Sequence, residues 1–211
     1  ENFDVNNIVL TFAAISDLHI GLHQQTSKVE KGMQFLSRRT LNGLDAVLIN
    51  GDLTNSYRAS KDENQIAAVR DVLVNNLPQN TSFFYSLGTS HDADGFNTTT
   101  NKSGKEQREA FIRVLGDRFS SADIEDEKDL KNGCKHAVIN NYHFLSLDNE
   151  NSDYTTASLK WLQNELKTIT AAEPNKTVFV MTHIPASASL NKVLKEFPQV
   201  IYFSAHEHIP F

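Results

Sequence analysis

The amino-acid sequence predicts an α/β fold with a mostly parallel sheet, because short apolar runs alternate with amphipathic stretches along the chain. Each run is rich in β-branched or aromatic residues, is bounded by turn-forming residues, and is too short for a helix, so each is expected to be a buried strand. The predicted strands are Ile8–Ser16, Asp45–Asn50, Ser82–Leu87, Thr177–Thr182 and Val200–Ser204. Helical stretches lie between the runs, which favours crossover connections between parallel strands.

The helices are predicted from apolar residues at helical spacing, and one hairpin from two runs joined by a short turn. The predicted helices are Val29–Thr40, Lys61–Leu77, Lys105–Leu115 and Ala157–Ile169, and the predicted hairpin strands are Lys135–Asn140 and Tyr142–Leu147. Ser60 and Glu63 form a capping-box pattern at the start of the second helix. The dipeptide Asn140-Asn141 is the predicted hairpin turn.

Length and composition indicate one globular domain over residues 1–211, with 39% hydrophobic and 22% charged residues. The formal net charge of −6 argues against binding of a nucleic acid duplex through its phosphates. Cys134 is the one cysteine, which excludes an internal disulfide framework and a Cys-rich zinc site. No apolar run of the sequence has the length of a membrane span.

The two ends of the sequence carry expectations of their own. The chain begins at Glu1 rather than at Met, and its last motif histidine, His208, lies close to the final residue, Phe211. We therefore expect a processed or trimmed N-terminus and a domain truncated at its C-terminus. An upstream targeting segment is compatible with this, so the compartment stays open between the cytoplasm and export.

Carboxylates and histidines follow five of the predicted strands. They are Asp17 and His19 after the first strand, Asp52 after the second, His91 and Asp92 after the third, and His183, His206 and His208 after the last two. In open α/β sheets, ligands bind beyond the carboxyl ends of the strands, so these side chains are expected to converge. Imidazole and carboxylate without thiolate favour Zn, Mn or Fe over Ca or Mg. The pattern predicts a site for a pair of divalent metal ions.

The order of the motifs, D-x-H, G-D, H-D, H and H-x-H, resembles the calcineurin-like metallophosphoesterase superfamily. That superfamily includes purple acid phosphatases and class III cyclic nucleotide phosphodiesterases, and the style of the motifs is most similar to phosphodiesterase-like and bacterial phosphohydrolase members. The motifs span residues 17–208, nearly the whole chain. The resemblance implies a sandwich of two mixed β-sheets flanked by helices, with the metals at one end.

The resemblance also implies a role for each motif residue. One metal ion would be held by Asp17, His19 and His208, and a second by His183 and His206, with Asp52 bridging the two. His91 would lie beside the bound phosphate and protonate the leaving group or stabilise its charge, with Asp92 orienting its ring. The implied cofactors are two divalent ions such as Mn, Fe or Zn. The implied reaction is hydrolysis of a small phosphodiester or phosphomonoester by a hydroxide that bridges the ions.

The sequence departs from the family pattern inside two motifs. The family has Gly-Asn-His-Asp/Glu, with the Asn as a ligand of the second metal, whereas this chain has Gly88-Thr89-Ser90-His91-Asp92. Ser90 stands at the Asn position and is a poorer candidate ligand, because a hydroxyl is shorter than an amide and donates less strongly to a metal. Aligned on Gly88 instead, the chain has one inserted residue.

The second departure lies in the last motif, where Ala205 replaces a glycine and Glu207 stands between two candidate ligands. Alanine resists the positive φ that glycine allows. Glu207 is interpreted as a solvent-facing residue, with an additional metal ligand as the alternative. Its negative charge would disfavour an incoming phosphate anion.

Two functional hypotheses follow from the sequence. The first is a metal-dependent phosphohydrolase, supported by the complete set of histidines and aspartates. The alternative is a catalytically impaired or non-catalytic member that acts as a binding module or scaffold, suggested by Ser90, Ala205 and Glu207. Nuclease action is disfavoured by the acidic charge and the lack of a basic stripe. The histidines outside the pattern, His23, His136 and His143, are interpreted as ordinary surface or core residues.

Overall fold

The structure is a computed structural model that describes residues 7–40, 43–55, 63–88, 91–92, 104–119, 133–148 and 154–208. Seven strands in these ranges form two sheets. The first sheet is parallel, with the order β1 (Phe12–Ile15), β2 (Ala46–Asn50), β3 (Ser82–Ser86). The second sheet is mixed, with the order β4 (Cys134–Ile139), β5 (Tyr142–Leu147), β6 (Val178–Thr182), β7 (Val200–Phe203).

Helices cover the outer face of each sheet. They are α1 (Gln25–Arg39), α2 (Glu63–Val74), α3 (Gly104–Leu115), α4 (Thr156–Ala172) and α5 (Ala188–Leu194). Helices α1, α2 and α3 share an apolar cluster with the first sheet, and α4 and α5 share one with the second. The predicted α/β sandwich of two sheets flanked by helices is confirmed.

A third apolar cluster joins the two sheets to each other. Leu48 and Phe84 of the first sheet meet Phe144 and Phe179 of the second. The rings of Phe144 and Phe179 stack with their centroids 4.9 Å apart. Strands β2 and β6 are buried at every position because both of their faces are covered. This double burial explains why they read in the sequence as uninterrupted apolar runs.

The predicted hairpin is confirmed as β4 and β5, and its turn has the expected chemistry. Asn140 and Asn141 have φ values of 47° and 63°. Two successive left-handed residues make a type I′ turn, whose twist matches that of the strands. Ile139 and Tyr142 are therefore direct partners across the hairpin.

Some predicted boundaries differ from the observed ones. Strand β1 is shorter than the predicted Ile8–Ser16, mainly because it begins only at Phe12, and at its carboxyl end the chain turns into the left-handed residue Asp17. Helix α5 is not predicted by the sequence analysis; it has seven residues and is capped by the Ser187 hydroxyl, which accepts from the backbone N–H of Leu190 at 3.3 Å. The predicted capping residue Ser60 lies outside the described residues. Across the described ranges, every helix is too short or too polar to span a membrane.

Candidate metal centre

The segments that follow the strands meet at one end of the sandwich, as the sequence predicts. The backbone N–H of His19, after β1, donates to the carbonyl of Asp52, after β2, at 2.9 Å. The backbone N–H of Ala205, after β7, donates to the carbonyl of His183, after β6, at 2.8 Å. These bonds fix the segments in pairs, so the side chains they carry have little freedom relative to one another.

Three groups of potential metal ligands lie there and share members. They are Asp17, His19 and His208; His19, Asp52 and His91; and Asp52, His183 and His206, with the ligand atoms of each group within 4.8 Å of one another. His19 belongs to two groups and Asp52 to two groups, so the three form one continuous row. The structure thus brings together all six described residues that the sequence analysis assigned to metal binding.

Asp52 occupies the centre of this row. Its Oδ2 atom lies 3.9 Å from Nε2 of His19 and 3.3 Å from Nε2 of His183. The side chain is almost completely buried, with 3% exposure. A carboxylate with imidazoles on both sides is placed to bridge two cations.

His183 is fully buried, and the backbone orients its ring. Its Nδ1 atom lies 2.9 Å from the carbonyl oxygen of Asn50, so we assign it as the donor. Nε2 then points at Asp52 and also lies 3.1 Å from Nδ1 of His206. Histidines that bind metals usually donate their other ring N–H in this way, which fixes the nitrogen that faces the ion.

At the other end of the row, Asp17 and His208 lie close together. Nε2 of His208 is 2.9 Å from Oδ1 of Asp17. The side chain of His208 is 57% exposed, whereas that of Asp17 is 15% exposed. This end of the row is therefore open to solvent, whereas Asp52 and His183 are buried and only His206 of their group is exposed.

Five of the candidate ligands have a left-handed backbone conformation. The φ values are 54° for Asp17, 44° for His19, 49° for Asp52, 74° for His206 and 48° for His208. Aspartate and histidine enter this region more readily than most residues, but each instance still costs on the order of 1 kcal/mol. Such residues cluster at functional sites, where the surrounding structure holds them in place.

Two glycines make room for the row. A Cβ atom on Gly51, which has φ of 78°, would lie 2.4 Å from the His183 ring. A Cβ atom on Gly88 would lie 1.9 Å from Oδ1 of Asp52 and 2.6 Å from its backbone nitrogen. No side chain fits at either position without displacing a candidate ligand.

Buried polar atoms that lack a hydrogen-bond partner indicate whether the residues of the row suit a cation. In the described part of the chain, Oδ1 of Asp52 and Nδ1 of His19 are buried atoms without a hydrogen-bond partner. A buried polar atom left unpaired costs about 1–3 kcal/mol and calls for a physical explanation. An anionic oxygen and an imidazole nitrogen are both good ligands for a borderline divalent ion, so the donor set fits one.

The electrostatics around Asp52 and His183 also favour positive charge. Burial raises the pKa of Asp52, but the hydrogen bond and charge of His183 outweigh burial and hold that pKa below its ordinary value. Burial lowers the pKa of His183, but Asp52 outweighs burial and raises it above the ordinary value. For His19, burial prevails over the attraction of Asp52 and lowers the pKa. A divalent cation would replace the proton that Asp52 attracts, so metal affinity should fall at low pH.

His91 belongs to the middle group of the row, and its ring centroid lies 4.6 Å from that of His19. Its Nδ1 atom is 3.5 Å from the carbonyl oxygen of Asn55. The hydrogen bonds of Asp92 go to backbone groups, and its role in orienting this ring stays a prediction. The carboxylate of Asp92 is fully buried and accepts from the backbone N–H groups of Thr54 at 2.8 Å and of Gly88 at 2.7 Å. Asp92 therefore acts on the backbone segments that carry the site.

The environment of Asp92 changes its acidity. Burial raises the pKa of Asp92 to about 6, with the negative charge of Asp52 adding to the effect and the backbone donors opposing it. Thr54 adds a further contact, because its hydroxyl donates to the carbonyl of His91 at 2.8 Å. Thr54 thus ties the end of the second-strand segment to the His91–Asp92 pair, a function that the sequence analysis missed.

The two sequence departures have different outcomes. Ser90 lies outside the described residues. Ala205 is not among the described residues with positive φ; the left-handed residue is the next one, His206. The backbone N–H of Glu207 donates to the carbonyl of Ala205 at 2.9 Å, which closes a three-residue turn around His206. The expectation that alanine is strained here is wrong, because the turn places the positive φ on the histidine.

Glu207 is exposed and belongs to none of the described ligand groups. It lines a cleft of about 290 Å³ together with Asp17, His206 and His208. Its carboxylate therefore adds negative charge to the cleft, although it is not one of the candidate ligands.

Asp148, which follows β5, fixes the segment that leads to His91, a role that the sequence analysis missed. Its buried carboxylate accepts from the backbone N–H of Leu87 at 2.8 Å, from Nε of Arg108 at 2.9 Å and from Nζ of Lys135 at 2.7 Å. Leu87 directly precedes Gly88, so the carboxylate fixes the start of the segment that leads to His91. The available signal was an aspartate directly after a predicted strand, as at the other site positions.

Comparisons with known proteins extend these observations. A family model for calcineurin-like phosphoesterases matches residues 10–210 of the chain. No curated protein matches the chain by sequence. Among solved structures, the chain is similar to a protein of unknown function from Aquifex aeolicus, with 13% identity, coverage of 93% of this chain and 89% of that chain, and a TM-score of 0.34. Similarity this low does not support a functional comparison.

Proposed function

Because the chain belongs to the calcineurin-like phosphoesterase family, we propose that it is a metal-dependent phosphohydrolase that uses two divalent ions. The observation that carries the proposal is the continuous row of ligand groups with Asp52 at its centre. Asp17, His19 and His208 would hold one ion, and His183 and His206 the other, with Asp52 shared. When bound, such a pair lowers the pKa of a water molecule and offsets the charge on phosphoryl oxygens.

The chain's own residues would contribute positioning and proton transfer. His91 is partly exposed and lies next to His19, where a bound phosphate ester would extend from the row. Its imidazole would give a proton to the leaving group. Asp92 and Thr54 would hold the segment that carries His91, because their hydrogen bonds join it to the segment after β2.

The proposed substrate is a small phosphodiester rather than a phosphomonoester. Glu207 places an exposed carboxylate at the cleft beside His206 and His208. A diester carries one negative charge on its phosphoryl group and a monoester nearly two at neutral pH, so Glu207 disfavours the monoester more strongly. Mn²⁺, Fe²⁺ and Zn²⁺ all suit the ligand set.

The proposal is tested by hydrolysis of bis-(p-nitrophenyl) phosphate in the presence of Mn²⁺. We expect Mn²⁺-dependent turnover that falls at least about 100-fold in Asp52→Asn, since even the loss of a partner that orients a metal ligand reaches that size. Asp71→Asn is the matched control, because Asp71 is 57% exposed on α2 and should keep full activity. Equal rates in the wild type and Asp52→Asn would instead favour the non-catalytic alternative.

The substrate preference is tested separately with Glu207→Gln. This substitution keeps the size of the side chain and removes its charge. We expect the ratio of p-nitrophenyl phosphate to bis-(p-nitrophenyl) phosphate hydrolysis, compared as kcat/KM, to rise several-fold in the variant. An unchanged ratio would show that Glu207 does not select between the two ester classes.

A further inference from the structure

A second cluster of histidines and glutamates lies on the outer face of the second sheet, between the β4–β5 hairpin and α4. It comprises His136 of β4, His143 of β5, Glu165 of α4 and Glu173, the residue that follows α4. His143 pairs with Val178 at the start of β6, whereas His183 follows the other end of that strand. The cluster is therefore separate from the candidate metal centre.

The four side chains form a continuous chain of hydrogen bonds. Nδ1 of His136 lies 3.0 Å from Oε2 of Glu165, and Nε2 of His143 lies 3.1 Å from Oε1 of Glu173. The remaining ring nitrogens, Nε2 of His136 and Nδ1 of His143, lie 2.9 Å apart. The histidine side chains are 25% and 16% exposed, so solvent reaches them.

Counting the protons on the four ring nitrogens indicates a cation between His136 and His143. A carboxylate accepts hydrogen bonds, so the outer nitrogens of His136 and His143 both carry protons. A neutral imidazole has one proton, which leaves the two inner nitrogens as facing lone pairs at a distance of 2.9 Å. Two lone pairs repel each other at this distance. A shared proton or a metal ion relieves the repulsion.

We propose that His136 and His143 form a second metal site, distinct from the candidate metal centre, that takes a borderline divalent ion such as Zn²⁺. Two imidazoles bound to tetrahedral Zn²⁺ with bonds of roughly 2.05 Å have their nitrogens about 3.4 Å apart. From the observed separation of 2.9 Å, the nitrogens would move apart by about 0.5 Å and both rings would turn so that their lone pairs point at the ion. Water would complete the coordination.

The glutamates supply what histidine ligands of metals usually have, a carboxylate on the second ring nitrogen. Such partners fix the ring orientation and increase the basicity of the ligand. Nζ of Lys176 also lies 3.4 Å from Oε2 of Glu173, so the carboxylate of Glu173 is held from two sides, by the ring of His143 and by this ammonium group.

The site would link the hairpin to the helix that covers it. His136 and His143 belong to β4 and β5, Glu165 belongs to α4, and Glu173 directly follows that helix. An ion on the histidines strengthens both carboxylate contacts, because it increases the acidity of the ring N–H groups. Binding to the native state alone raises the stability of the protein by mass action.

The proposal is tested by titrating the metal-free wild type and single variants with Zn²⁺, using calorimetry for stoichiometry. We expect His143→Ala to bind one ion fewer per chain than the wild type, and His23→Ala, an exposed histidine in neither cluster, to bind the same number. Glu173→Gln keeps both ligands and should weaken binding at this site about 10–100-fold. Binding here should release about one proton per ion.

A measurement on the unmodified chain keeps the test valid if a variant fails to fold. Zn²⁺ should shift the ¹⁵N resonances of His136 Nε2 and His143 Nδ1 in the wild type. Unshifted resonances at saturating Zn²⁺, or equal stoichiometry and affinity in the wild type and His143→Ala, would overturn the proposal and leave a shared proton as the occupant. Neither readout uses hydrolysis, so failure of the proposed function would be distinguishable.

Discussion

The two histidine clusters of this protein are built in opposite ways. The row from Asp17 to His206 is carried by segments that follow strands, and most of its candidate ligands have positive φ. The pair of His136 and His143 lies within regular strands of a hairpin, and neither residue is among those with positive φ. The row contains buried polar atoms without partners, whereas each histidine of the pair has a carboxylate on its outer ring nitrogen.

This difference indicates how much of each cluster depends on the rest of the fold. The hairpin places its histidines through local pairing alone. The row needs the ends of two sheets, two glycines and a buried carboxylate, Asp148, to hold conformations that the residues themselves disfavour. Backbone strain and unpaired ligand atoms therefore distinguish the row from the histidine pair, and the following substitutions test that distinction.

The largest expected effect on stability comes from Asp148→Asn, which removes the buried negative charge that pairs with Arg108 and Lys135. Arg108 and Lys135 would then lose the buried carboxylate that they share, and breaking a buried ion pair costs about 3–5 kcal/mol. Chemical denaturation at pH 7 measures the loss. Asp71→Asn, at an exposed position, should stay within about 0.5 kcal/mol of the wild type.

The difference in stability between the wild type and Asp148→Asn should depend on pH. Burial raises the pKa of Asp148, but the charges of Lys135 and Arg108 outweigh burial and hold it below the ordinary value. The stabilisation is therefore present above the ordinary carboxyl range and is lost as the pH falls through the depressed pKa of the folded state. The stability gap between the wild type and Asp148→Asn should narrow as the pH is lowered below about 4. A gap that is constant from pH 7 to pH 3 would contradict this assignment.

An intermediate effect is expected from Gly88→Ala, which introduces a Cβ atom against Asp52. We expect a loss of about 1–3 kcal/mol from overpacking, together with weaker binding of metal at the row. Gly32→Ala provides the matched control, because a Cβ atom there meets nothing within 4 Å in the middle of α1. That control should be more stable by about 0.5–1 kcal/mol. Similar stabilities for the two alanine variants would disprove the close packing of Gly88 on Asp52.

The smallest expected effect comes from comparing glycine with alanine at His206 of the row and at His143 of the hairpin, which probes the backbone strain of each cluster. At His206, with φ of 74°, glycine should be more stable than alanine by about 1 kcal/mol in the metal-free protein. At His143, within a strand, alanine should be more stable than glycine. Thermal unfolding of the four variants measures both differences. The same sign at both positions would show that the row is not strained relative to the hairpin.

Local patterns of the sequence predicted many of the strands, the hairpin turn and the candidate ligands. Uninterrupted apolar runs predicted β2, β3 and β6, because strands covered on both faces have no polar positions. The two asparagines predicted the hairpin turn, since this residue type enters the left-handed region readily. The candidate ligands were predicted because each directly follows a strand, and strand ends of parallel sheets meet at one edge.

Tertiary structure decided the features that depend on distant partners. The hydrogen bonds of Asp92 to Thr54 and Gly88, the support from Asp148, and the meeting of His136 and His143 with glutamates in or directly after α4 all join residues on different elements. No local spacing encodes them. The sequence by itself determined which chemical groups stand at the ends of the strands. Packing of the two sheets decided which of those groups face one another, because that depends on long-range register and on the room that Gly51 and Gly88 leave.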